Sequence, residues 1–202
     1  VKRLPPEEEP GAPGAYGGAG SLDGTIPGRF WINLHTTSLH SRYSLADLTF
    51  HEAIPGHIWQ GEYAHNQPLV RAMLSFNAYS EGWALYAERL AWELGFQDDP
   101  YDNIGRLQAE LFRAVRLVVD TGIHYKRWNR EQAIDYMLGN SGMGRTDATA
   151  EVERYIAIPG QALAYKTGEL EIRGLRAQAE QALGAAFDVR AFHGAVLENG
   201  SV

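Results

Sequence analysis

The sequence predicts a mainly α-helical fold with a small β element ahead of its most distinctive motif. Three observations carry that reading. From residue 44 onward, apolar residues recur at helical spacing in runs divided by Gly, Pro and Asn, the residues that stop and start helices. Only Arg29-Phe30-Trp31-Ile32-Asn33-Leu34 alternates large apolar and polar residues, weakly, as a strand does. Residues 1–28 are rich in Pro, Gly and acid and read as a loop segment, leaving 29–202 as the folded helical domain.

Taken in order, the strand at 29–34 cannot stand alone and needs partners, either residues 1–4 or chain outside this sequence. Ser44 suits an N-cap, with Asp47 placed like a capping-box partner and Leu45, Leu48 and Phe50 as apolar positions. The chain pauses at Gly61, and Asn66 ahead of Pro68 marks a new start. Residues 69–94 form a long periodic run, divisible near 77–80 and closed by Gly95. Asp99-Pro100 opens the next helix, to about 126. Asn129 caps a shorter one that stops at Gly139, and 139–144 reads as loop. Thr146 or Asp147 can cap the following helix, which Pro159-Gly160 ends. Helices at 168–183 and 188–198 complete the chain, each with Gly just beyond.

Composition narrows the function. Hydrophobic residues are 45% and charged residues 21% of 202, enough for one globular domain with a sizeable core. A net charge of −7 with no Lys/Arg-rich run argues against nucleic-acid binding. There is no cysteine, so a metal must be held by His and Asp/Glu. No segment approaches the ~20 apolar residues of a membrane span. No signal peptide or initiating Met is present, so Val1 reads as an internal start, and cytoplasm and periplasm both stay open.

The motif is His51-Glu52-Ala53-Ile54-Pro55-Gly56-His57. Two imidazoles to hold a cation and a carboxylate to work a bound water are the parts of a mononuclear zinc centre. The histidines stand at i, i+6, and six residues turn a regular helix by roughly 240°, which would aim the rings apart. Pro55 cannot return an N–H to the carbonyl of His51, and Gly56 is free to take positive φ. A bulged or broken turn that brings His57 beside His51 follows. The alternative is a helix end with two incidental histidines.

Other residues could complete the chemistry. Glu81, within an aromatic stretch on a returning helix, is the third ligand of choice; Glu88 shares its helix face and is the runner-up or a supporting acceptor. Glu52 would take the proton of the attacking water. His124, one turn after Asp120, is either an oriented imidazole able to donate to an oxyanion or a partly buried histidine satisfied by Asp120. Tyr155 can donate to a tetrahedral intermediate or be core. Arg154, with Tyr165 nearby, can anchor a substrate carboxylate or pair with Glu151 or Glu153. His35, His40, His65 and His193 read as surface or structural.

These stretches together resemble a known family. The segments are Asp23-Gly24, Pro27-Gly28, 30–34, the 51–57 motif, Asn77 with 81–88, 120–124, Glu153-Arg154-Tyr155 with Pro159-Gly160-Gln161-Ala162, Leu183-Gly184, Phe187 and Phe192-His193. In that order they are similar to the C-terminal part of the bacterial domain-of-unknown-function 885 (DUF885) family, zincin-like relatives of the gluzincin peptidases with an HExxPGH motif. The resemblance covers nearly the whole chain. It implies a mostly helical metallopeptidase-like fold, one zinc ion on His51, His57 and Glu81, Glu52 as base, and His124 and Tyr155 lining the site. It also implies a large helical region ahead of this one, so the chain alone should hydrolyse peptides poorly. The surface facing that region should be apolar, with Trp59, Trp83 and Tyr86, and could favour self-association.

The expected activity is therefore that of a zinc-dependent peptidase, a hydrolase whose substrate pairs along the strand at 30–34. The opposing expectations are a helical scaffold that binds peptides or a partner without catalysis, and a metal hydrolase of a non-peptide amide.

Overall fold

The computed structural model describes residues 1–11, 14–35, 40–65 and 67–201. The fold is mainly helical with one small sheet. Strands β1 (Lys2–Arg3), β2 (Ala15–Gly18) and β3 (Arg29–Ile32) pair in the order β1-β3-β2. β3 is central, parallel to β1 and antiparallel to β2, with Gly17 opposite Phe30. The expected partner at residues 1–4 is there. The loop expected over 1–28 is corrected: β2 arises from its glycine-rich part, where no side-chain alternation announces a strand.

Helices follow: α1 (Arg42–Glu52), α2 (His57–Ala64), α3 (Leu69–Met73), α4 (Asn77–Glu93), α5 (Pro100–His124), α6 (Arg130–Ser141), α7 (Arg145–Ala157), α8 (Ala164–Leu183) and α9 (Val189–Glu198). Local chemistry accounts for several starts. Asp99 caps α5 by accepting from the Tyr101 amide at 2.8 Å, ahead of Pro100 at the first helical position. Asn129 and Gln132 form a reciprocal capping box on α6.

Other boundaries are corrected. α1 starts after Ser41, and the Ser44 hydroxyl donates back to the Ser41 carbonyl at 2.9 Å. Asp47 is buried against the core instead of capping. α6 runs through Gly139 and stops at Gly142, which takes φ 70°. Gly144 caps α7, with Thr146 and Asp147 inside its first turn. α8 begins at Ala164, not at 168. Asn66 lies outside the described residues.

Two apolar cores hold the helices. Val115 and Val119 of α5 pack with Ile134 and Met137 of α6 and Val152 and Tyr155 of α7. Trp83, Tyr86 and Leu90 of α4 pack with Ile172 of α8 and Leu197 of α9. Each such side chain contributes about 1.5–3 kcal/mol on burial. α4 and α8 approach until Gly82 and Gly168 touch; a Cβ on either would overlap the other's backbone. The expectation that Trp83 and Tyr86 lie exposed is thereby overturned. Trp83 is 1% and Tyr86 0% exposed, the Tyr86 hydroxyl meeting His193 Nε2 at 2.8 Å, while Trp59 is partly exposed.

Candidate metal centre

The motif breaks the helix, as its spacing requires. α1 ends at Glu52, the Ile54–Pro55 peptide bond is cis, and α2 begins at His57. Trp83 of α4 pins this break by donating its indole N–H to the Pro55 carbonyl at 2.7 Å. Gly56 serves by lacking a side chain, not by positive φ: its φ is −76°, and a Cβ there would overlap the carbonyl oxygens of Phe50 and His51. With the two histidines in separate helices, their rings meet edge-to-face, centroids 4.9 Å apart.

Glu81 and Glu88 lie seven residues apart on one face of α4, and both reach His51. Glu81 Oε2 faces His57 Nε2 at 3.2 Å and His51 Nε2 at 3.6 Å. Glu88 Oε1 takes the other nitrogen, His51 Nδ1, at 2.6 Å. A carboxylate can only accept here, so Nδ1 carries a proton, and Nε2 faces Glu81 and His57 with a second proton or with a lone pair turned to a cation. One ligand atom from each of His51, His57 and Glu81 lies within 4.8 Å of the others. Glu81 Oε2 is buried, and among the described residues it has no donor besides these two imidazoles.

Electron-rich atoms that face one another need a positive charge between them, a proton or a metal cation. Burial opposes a charged His51, yet Glu81 and Glu88 outweigh it and lift its pKa to about 9. Burial pushes the Glu81 carboxyl up, but the two imidazoles outweigh it and hold it below the usual carboxylate range. Two imidazoles, one carboxylate and no thiol form a donor set that zinc accepts, with a position left for water. Glu88 bonds the far nitrogen of His51, the position of a supporting acceptor and not of the runner-up ligand.

Beneath Glu88 sits a group whose role sequence reasoning missed. Asp47, one turn before His51 in α1, is 2% exposed. Burial first, then the Glu88 charge, raises its pKa to about 8. A neutral Asp47 offers its O–H to Glu88, whose Oε2 has no other donor among the described residues. Arg113 of α5 balances Glu88 from the far side, Nη2 to Oε1 at 3.4 Å.

The triad opens into a cleft of about 820 Å³. Glu52, 8% exposed, lines it beside the triad. Its carboxylate lies against β2, where a Cβ added to Gly17 would stand 3.0 Å from Glu52 Oε2. Its lining also includes Tyr165, Arg116, Glu151 and Arg154. The Tyr165 ring stacks on that of His51, centroids 6.5 Å apart and planes at 16°. Its hydroxyl accepts from Gln161 Nε2 at 3.2 Å, which leaves its own proton to donate.

Of the remaining expected site residues, Arg154 lines the cleft, and His124 and Tyr155 do not. His124, exposed at the end of α5, donates Nε2–H to the Tyr155 carbonyl at 3.0 Å and does not line the cleft. Asp120 does not orient it; it accepts from the Gly160 amide at 3.0 Å. The two contacts tie the end of α5 to the end of α7. The Tyr155 hydroxyl accepts from Arg116 Nε at 2.9 Å and gives its one proton to Glu151 Oε2 at 2.7 Å, so none is left for an oxyanion. Arg154 pairs with that same Glu151 oxygen at 2.7 Å and with Gln161 Oε1 at 2.6 Å.

Arg116 and Arg113 were not legible as site residues. α5 buries an apolar stripe of Phe112, Val115 and Val119, while Arg113, Arg116 and Asp120 lie roughly 100° round the helix. That spacing was the available signal, and it equally describes a solvated face.

Comparison with known proteins places the chain among bacterial relatives. A solved structure described as "the putative lipoprotein from Colwellia psychrerythraea" is 52% identical, with a TM-score of 0.95 over 99% of this chain and 35% of that one. Another, described as "a putative lipoprotein of unknown function from Shewanella oneidensis", is 29% identical, with a TM-score of 0.80 over 98% of this chain and 39% of that one. This chain therefore spans little more than a third of either. No curated protein matches it. The family model for the bacterial protein of unknown function DUF885 matches residues 1–202, and the chain belongs to that family.

Proposed function

We propose that this chain carries the catalytic centre of a zincin-like, metal-dependent hydrolase that cleaves peptide bonds. The observation that supports this best is the convergence of His51, His57 and Glu81, with Glu52 at the mouth of the same cleft. A bound zinc ion would supply Lewis acidity to a carbonyl oxygen and lower the pKa of a water. His51, His57 and Glu81 would hold it, and Glu88 would keep His51 in the right tautomer.

Glu52 takes the proton of the attacking water and passes it to the leaving amine. Tyr165 takes over the oxyanion role first assigned to His124 and Tyr155, because it faces His51 and still has a proton to give. The strand along which substrate pairs is also reassigned. β3 has a neighbour on both sides, whereas among the described residues β2 is an edge strand, and its Ala15, Tyr16 and Gly17 line the cleft. An extended peptide would add to β2, close to Glu52 because Gly17 has no side chain.

Both relatives carry the description "putative lipoprotein", which supports an exported, lipid-tethered parent protein.

The test is metal content and peptide hydrolysis by the natural full-length protein and its Glu52→Gln variant. The variant should keep its zinc and lose about 10²–10⁴-fold in turnover. Purified protein that takes up no zinc, or a variant as active as wild type, would sink the reading. Zinc with no hydrolysis of any peptide would favour a binding module on the same fold.

A further inference from the structure

The arginine wall of the cleft is built for an anion. Arg116 is 6% exposed, and its guanidinium lies between two rings, 4.1 Å from Phe112 and 4.4 Å from Tyr165. That sandwich fixes its plane. Of its five N–H groups, Nε serves Tyr155 and one on Nη2 serves Glu151. The other three, two of them on Nη1, have no acceptor among the described residues. Arg116 lines the cleft, where a carboxylate would match its guanidinium fork.

The charge balance agrees. Arg116 and Arg154 share a single carboxylate, both on Glu151 Oε2, so this wall holds two cations and one anion. Arg113 does not alter the count, because it faces Glu88. Beside Arg116 and Arg154 the acid of the cleft lining is Glu151, and it already accepts from Arg116, Arg154 and Tyr155.

We propose that Arg116, assisted by Arg154, binds the free C-terminal carboxylate of the substrate, which makes this protein a carboxypeptidase. The inference rests on the peptidase reading of the same cleft. One aromatic ring, Tyr165, separates Arg116 from His51. An anion held there lies one or two extended residues, at about 3.3–3.6 Å each, from the bond that is cut. The water oxygen bonds to the carbonyl carbon, the C–N bond breaks, and the leaving amine takes the proton carried by Glu52. The product released beside Arg116 is an amino acid or dipeptide that keeps the original carboxylate. An internal peptide segment would leave the cation unmatched.

The experiment uses the full-length protein as Glu52→Gln, to prevent turnover, with and without zinc. Calorimetry compares an N-acetylated tripeptide acid with the same tripeptide as its C-terminal amide. The acid should bind at least about tenfold tighter, with or without metal. Arg116→Lys, which keeps the charge and loses the fork, should erase most of that preference; the more exposed Arg154→Gln should reduce it. Melting temperatures identify a variant that fails to fold, and in that event the acid–amide comparison decides alone. Equal affinity for acid and amide would overturn the proposal, as would an unchanged preference in a folded Arg116→Lys protein. Zinc content of the same samples separates the two readings. Zinc without acid preference sinks only the carboxylate assignment. Acid preference in a protein that takes up no zinc leaves an anion site and overturns its carboxypeptidase role. Wild-type digests should show peptides shortened from the C-terminus only; internal cleavage would overturn it too.

Discussion

His51 and His124 occupy matching local settings and come to opposite ends. Each lies near the C-terminus of a helix, four residues after an aspartate, Asp47 or Asp120. Neither aspartate bonds its own histidine. Asp120 accepts from Gly160, and His124 spends Nε2 on the Tyr155 carbonyl at an exposed helix end. Asp47 sinks beneath Glu88, Glu88 takes His51 Nδ1, and Nε2 is left facing His57 and Glu81. What separates a candidate ligand from a strut is where the second nitrogen points, and residues distant in sequence decide that.

The comparison breaks most sharply at the metal. Glu81→Ala should abolish zinc binding, while Glu88→Gln, which removes a support and keeps the ligands, should weaken it about 10–100-fold. Equilibrium dialysis measures both. The reverse order would make Glu88 the ligand.

The pair of aspartates offers a second test, by pH. The folded pKa of Asp47 is raised to about 8, against roughly 3.9 in an unfolded chain. Its stabilising effect is then full below about pH 4 and is lost as pH rises through 8, on the order of a few kcal/mol in all. Thermal melts of metal-free protein should show Asp47→Asn flattening that decline. An unchanged slope would mean that Asp47 is ionised in the fold.

The smallest effect belongs to His124. His124→Ala should cost about 0.5–1.5 kcal/mol, one neutral hydrogen bond, and leave zinc content untouched. Loss of zinc in a folded His124→Ala protein would return this residue to the site.

The legible parts of the molecule are those with short-range causes. Asp99-Pro100 and Asn129 with Gln132 start helices by bonding their own neighbours. The Pro-Gly pair inside the motif implies a broken helix, because no regular turn admits it. β2 was hidden because glycines show no alternation, and its pairing was settled by β3. Arg116 was hidden because a polar stripe on α5 looks the same whether it meets solvent or two aromatic rings.

By itself, then, the sequence determined a mainly helical chain, most of its helices, and two histidines with a glutamate set around a break. All of these follow from backbone and side-chain preferences acting over a few residues. The tertiary structure alone decided that Glu81 meets both histidines, that Glu88 and Asp47 stand behind one of them, and that Tyr155 and His124 bond within the fold away from the cleft lining. It also decided that the cleft ends in arginines. Proton positions, burial and charge balance are properties of groups brought together from distant parts of the chain, and only packing brings them together.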